Sequence, residues 1–213
     1  MEAPVGVDLG ASSGLMGTAE KPVDRRILRS RQKLCDALLD ELKDGQQLEV
    51  LSVSTIAARA GLTRKTFYAH FHSPDNVVRQ IAANMFQRAV SQVENDALTL
   101  PVADSRLGIS ILSHLADDME TIALLATRCP SAVFLEPAGE AIAELLDRIV
   151  SVNALPPLDA HVHEYIAQII GGAFRGAIIV WAERGFKETP EAAAKILMTL
   201  LGPGTDALLN QRR

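Results

Sequence analysis

The sequence predicts an all-α chain, and three observations carry that prediction. Apolar residues recur at helical spacing, no stretch alternates with the period of a strand, and the segments carry cap residues at one end and glycine or proline at the other. No internal repeat is visible. The 213 residues are 48% hydrophobic and 22% charged, enough apolar material for a sizeable core. Two cysteines, Cys35 and Cys129, are too few for a disulfide scaffold, so a reducing, cytoplasmic setting is expected.

The elements follow in order. Residues 1–22 are rich in Gly, Ser and Ala without periodicity, and their composition predicts a disordered tail. The tail contains GASSG (Gly10 to Gly14), the spacing of a hydrolase nucleophile elbow, but the strand and helix that motif needs are missing. Asp24 is placed to cap a first helix with Ile27, Leu34, Leu38 and Leu42 on one stripe, ending near Gly45. Ser52 caps a short helix, VSTIAARA, which Gly61 terminates; Thr63 caps a third, RKTFYAHF. Ser73-Pro74-Asp75 starts a fourth, expected to run to about Ala97.

A break at 98–105 precedes helices expected at 105–127, 137–152, 158–184 and 190–201. Pro130, Pro156-Pro157, Gly185 and the Gly202-Pro203-Gly204 run punctuate them. The most apolar stretch, 165–182, contains Gln168 and Arg175 and reads as a buried amphipathic helix rather than a membrane span. No signal peptide is expected, since the first residues carry acids and no apolar run.

Charge is unevenly spread. The net charge is −5, yet residues 21–72 hold ten Lys/Arg against six Asp/Glu, a local +4 that leaves −9 elsewhere. A basic block on an acidic chain is the asymmetry of a localised polyanion site. Within it, GLTRKTFYAHF (61–71) puts two cations at the start of a helix and Phe67, Tyr68, His70 and Phe71 along it. Two short helices joined at Gly61 form a helix-turn-helix, whose second helix presents its N-terminal residues to the major groove. There Arg64 and Lys65 reach base edges or phosphates, and Thr63 and Thr66 offer hydroxyls. Phe67 and Phe71, at i and i+4, are expected to face the core, with Tyr68 and His70 outside.

Segment 52–71, SVSTIAARAGLTRKTFYAHF, resembles the helix-turn-helix signature of the TetR family of transcriptional regulators. Ile56-Ala57, the Ala60-Gly61-Leu62 turn, Thr66-Phe67-Tyr68 and His70-Phe71 carry the match, and RQKLCDALLDEL before them resembles the family's first helix. The detailed resemblance covers about residues 29–80. It implies that Ser54, Arg64, Lys65 and Thr66 face bases or nearby backbone, and that Ser52, Tyr68 and His70 hold phosphates. One departure stands out: the family commonly begins its fourth helix with a phosphate-binding lysine, and here the position holds Pro74. The basic segment from Arg25 to Lys33 is available to compensate.

The resemblance also implies an architecture: a DNA-binding domain over 23–90 and a helical effector-binding and dimerisation domain over 91–213. The protein is then expected to be a homodimeric regulator, a repressor released from a palindromic duplex operator by an apolar small molecule. A helical small-molecule binder, or a ligand-independent regulator with a weakened DNA head, is the competing reading. Isolated polar or bulky groups in apolar segments nominate an effector pocket: His114, Met119, Arg128, Phe134, His161, Tyr165 and Gln168. Small residues at i, i+4, i+8 nominate a dimer face of Gly172, Gly176 and Val180, with Ala173, Ala177, Ile169, Leu197 and Leu201 beside them.

Other chemistry finds little support. His161 and His163 diverge by about 200° on a helix, and His114 with Asp118 supplies only two ligands, so no metal is expected. Cys129 before a proline reads as a packed thiol rather than an oxidant sensor. No catalytic constellation or cofactor fingerprint is present, and neither enzymatic activity nor a cofactor is expected.

Overall fold

The computed structural model describes residues 25–211. The expected tail, GASSG and the Asp24 cap lie outside that range. Among the described residues the chain forms ten α-helices and no strand. They are α1 (Arg25–Lys43), α2 (Val53–Arg59), α3 (Arg64–Tyr68), α4 (Pro74–Ser91), α5 (Arg106–Ala116), α6 (Met119–Arg128), α7 (Ser131–Phe134), α8 (Pro137–Val152), α9 (Ala160–Glu183) and α10 (Pro190–Asn210).

In α1 the stripe Leu34, Leu38, Leu42 is fully buried between α2 and α4. Ile27, expected on that stripe, is 46% exposed, because beside the first turns of α1 only the polar Gln80 and Asn84 of α4 line the surface. From α4 onward one core continues through Leu112, Leu125, Phe134 and Ile142 to Trp181 and Leu209. The helix pairs α8–α9, α5–α10 and α4–α8 make its principal contacts. α9 is long and apolar enough to cross a membrane by length and composition, and its Ile166, Phe174, Ile178 and Trp181 are buried in the fold.

Helix boundaries depart from the sequence reading where distant side chains intervene. α4 stops at Ser91 rather than near Ala97 because the Arg148 guanidinium of α8 donates to Val90 O and Val93 O, at 2.7 Å each, taking up carbonyls at the end of the helix. The helix expected over 105–127 is two, α5 and α6. At the corner between them Asp118 is held by Arg88, whose Nη2 lies 2.9 and 2.8 Å from the two carboxylate oxygens. The four-residue α7, absent from the sequence reading, buries Phe134.

α10 does not stop at 201. It passes through Gly202-Pro203-Gly204 to Asn210, with Pro203 on the exposed side. A Cβ at Gly202 would lie 2.6 Å from Ala103 Cα, so the helix rests directly on the loop before α5. One turn later the buried Asp206 carboxylate accepts from Val102 N (2.8 Å) and Ala103 N (3.0 Å). These contacts hold a helix that proline alone would break.

Candidate nucleic-acid interface

The two short helices are fixed by local caps. Ser52 Oγ accepts from Thr55 N at 3.1 Å, opening α2. At its end Gly61 adopts φ +65°, a left-handed conformation that glycine takes without a Cβ penalty, while Leu62 N donates to Ala57 O at 2.9 Å. Thr63 Oγ1 then accepts from Thr66 N at 3.1 Å and opens α3.

α3 is shorter than expected, ending at Tyr68 rather than Phe71. The chain closes on it tightly: His70 N and Phe71 N both donate to Phe67 O, at 2.9 and 2.8 Å. Phe67 and Phe71 are buried with ring centroids 6.0 Å apart, Tyr68 is 50% exposed and His70 is half-buried. The division of rings between core and surface therefore follows the sequence expectation.

Arg64 and Lys65 are exposed and make no hydrogen bond or ion pair among the described residues. Arg59, at the end of α2, behaves oppositely. It meets Glu41 at 2.9 Å and Asp44 at 2.6 Å, bracing α2 to α1. Ser52, Ser54 and Thr63 are exposed on the same motif, and Thr66 is half-buried. Pro74 occupies the first turn of α4 behind the Ser73 cap.

Two braces escaped the sequence reading. One is Arg59; its signal was a lone cation facing the acidic end of α1. The other is Arg31, which bonds Gln80 and sits 4.9 Å over the Phe71 ring. Burial, and secondarily the Arg31 charge, lowers the His70 pKa.

In the second half of the chain the seven nominated effector residues do not converge. His161, Tyr165 and Gln168 lie on exposed positions of α9, His114, Met119 and Arg128 are half-buried, and Phe134 is in the core. Arg128 instead donates to Gly45 O at 3.3 Å, joining α6 to the loop after α1. The enclosed cavity of this region, about 40 Å³, is lined by Leu107, Ile111, Ile142, Phe174 and Met198 among others, and by none of the seven.

The nominated dimer residues are more coherent. Ala173, Gly176, Ala177, Val180, Leu197 and Leu201 line one apolar groove of about 540 Å³ between α9 and α10. Gly172 directly precedes the groove's first residue on α9, and Ile169 lies about one turn before it. Ile196, 62% exposed, and Leu200, 76% exposed, extend the groove along α10.

The remaining singled-out groups have ordinary places. His163 Nε2 is buried 3.1 Å from Asp147 Oδ1 and makes no hydrogen bond among the described residues. Burial raises the Cys35 pKa to about 11 and the Cys129 pKa to about 12, so neither thiol is ionised near neutrality.

A capped helix-turn-helix thus stands ahead of a helical second half, and that second half is recognisable on its own. Residues 109–202 match a family described as the transcriptional regulator C-terminal region of the TetR type. That match spans just under half of the chain, and it agrees with the TetR resemblance of the helix-turn-helix ahead of it. An uncharacterized helix-turn-helix-type transcriptional regulator of Bacillus subtilis, YxbF, is 23% identical over 186 residues, which are 85% of this chain and 47% of the relative. The chain therefore spans about half the length of that curated relative. Two solved structures share the fold of this chain. A TetR transcriptional regulator from Streptococcus agalactiae has a TM-score of 0.56 at 18% identity, covering 84% of this chain and 97% of its own. The dihydroxyacetone kinase operon activator DhaS has a TM-score of 0.53 at 15% identity with the same coverage.

Proposed function

We propose that this protein is a TetR-type, sequence-specific DNA-binding regulator acting as a homodimer, and that it represses by default until a small-molecule effector lowers its affinity for DNA. One observation carries the DNA-binding reading: Arg64 and Lys65 project from the capped first turn of α3, and their side chains have no acceptor among the described residues. Unpaired cations at the leading end of a second short helix are placed to meet base edges and phosphates. In this reading Arg64, Lys65, Thr66 and Ser54 contact bases or adjacent backbone. Ser52, Thr63, Tyr68 and His70 position the helix on phosphates.

The work divides between a head up to about residue 90 and an effector-binding, dimerising remainder. The α9–α10 groove supports dimerisation: its lining is almost wholly apolar, and its Ile196 and Leu200 are left largely exposed in the single chain. A twofold dimer would carry its two α3 helices onto an inverted-repeat operator. Release by an effector requires only that the ligand favour the conformation that binds DNA less well.

Titration against random duplex at two salt concentrations tests the DNA-binding reading. Each phosphate neutralised by a cation adds about −0.9 to the slope of log affinity against log salt, so phosphate engagement gives a clear loss of affinity at the higher salt. An affinity that does not move with salt would overturn it and favour the helical small-molecule binder with a weakened head.

A further inference from the structure

Arg175 of α9 has a feature that the other cations do not share. Among the described lysines and arginines that make no hydrogen bond or ion pair, Arg25, Arg29, Lys33, Lys43, Arg64, Lys65, Lys187 and Lys195 are all exposed. Arg175 alone of this set is half-buried. A guanidinium that surrenders part of its hydration without gaining an acceptor is unfavourable unless something else supplies one.

Its seat is built by three glycines from two helices. α8 and α9 approach so closely that a Cβ at Gly171 would lie 3.1 Å from Gly139 Cα. The guanidinium lies across that floor: its nitrogens are 3.7, 3.6 and 3.5 Å from the points where Gly139, Gly171 and Gly172 would carry a Cβ. A side chain at Gly171 would press on the backbone of α8, whereas a Cβ at Gly139 or Gly172 would just touch the guanidinium. Beside it runs a groove of about 540 Å³, within the size range of small-molecule sites. Ala132 and Ile179 give it apolar wall, Ser131 and Gln168 give it hydrogen-bond donors, and Glu136 and Glu140 stand at its acidic edge. Glu136 is occupied by Arg79, which leaves Glu140 to repel a second negative charge.

We propose that this groove binds a small monocarboxylate, its head paired with Arg175 and its apolar body lying against Ala132 and Ile179. The planar fork of arginine matches a carboxylate in two parallel hydrogen bonds, and Gln168 and Ser131 are the neighbouring donors. The site rests on the effector reading above for its purpose, but not for its existence. It is distinct from the α9–α10 groove, which has Ala173, Gly176 and Ala177 of α9 on its wall.

The test uses hexanoate as probe and 1-hexanol as its uncharged match, with binding to the full chain followed by amide chemical shifts. Hexanoate is expected to shift the Gly139, Gly171 and Gly172 amides and to bind at least about tenfold more tightly than 1-hexanol, the factor one charge-assisted interaction supplies. Arg175→Met should lose that preference. Arg175→Lys, which keeps the charge without the fork, should retain part of it. Equal binding of hexanoate and 1-hexanol to the unmodified protein would overturn the proposal, and that comparison needs no variant to fold. It would also fall if Arg175→Met bound hexanoate normally. Loss of dimers in Arg175→Met, with no hexanoate binding before the change, would assign the guanidinium to the subunit contact instead and reject the site. Operator affinity measured with and without hexanoate keeps the two readings apart. Binding at Arg175 with unchanged operator affinity would uphold the site and remove its effector role.

Discussion

Introducing glutamate at Gly176 and Leu200 together is expected to convert the protein to monomers without unfolding it. Both positions are exposed in the single chain: Leu200 is 76% accessible, and a Cβ at Gly176 meets nothing within 4 Å. The substitutions therefore cost the isolated subunit little. In a twofold interface each is counted twice, so four carboxylates would be carried out of water into an apolar groove, at several kcal/mol apiece. Light scattering at micromolar concentration should give the monomer mass, with helical circular dichroism preserved. A folded double variant that remains dimeric would show that the α9–α10 groove is not the subunit contact.

The second large effect is on stability. Phe67 is fully buried and touches Phe71 and Tyr68, with ring centroids 6.0 and 5.8 Å away. Phe67→Ala should cost about 3–5 kcal/mol, because a helix of five residues cannot collapse into the void it leaves. That is a large share of the 5–15 kcal/mol typical of a whole domain, so the head should melt first and operator binding should vanish with it. Urea denaturation followed by circular dichroism measures the cost. A loss below about 1 kcal/mol would mean that α3 is held by its caps and turn rather than by its ring.

The contrast between these positions reflects what a sequence can carry. Ser52, Thr63 and Ser73 were legible as caps because the hydrogen bond that makes a cap spans three residues and depends on nothing distant. The i, i+4 spacing of Phe67 and Phe71 assigned them to the core for the same reason. Helix ends set by remote partners were not legible. Arg148 ends α4 from 55 residues and more along the chain, and Asp206 secures α10 to Val102 across 104. A Gly-Pro-Gly run read in isolation says stop, and the tertiary contact overrides it. The effector residues failed to converge for a related reason. Polar groups in apolar segments were identifiable, but the turn between α5 and α6, fixed by Arg88 and Asp118, decides which of them face one another. Arg175 was visible as a charge; its glycine seat needed two helices from different parts of the chain.

The central claim is that α3 reads sequence through its first turn while its later residues hold backbone. Arg64→Ala and Tyr68→Phe separate those roles when each is measured against operator and scrambled duplex at one fixed salt concentration. Arg64→Ala should cost the operator about 1–3 kcal/mol per lost base contact and flatten preference at one position in each half-site, while scrambled duplex loses much less. Tyr68→Phe should weaken both duplexes by the same factor, since a phosphate oxygen is alike in every sequence. If Arg64→Ala instead lowers both affinities equally, Arg64 is a phosphate anchor and the first turn of α3 is not where this protein reads DNA through Arg64.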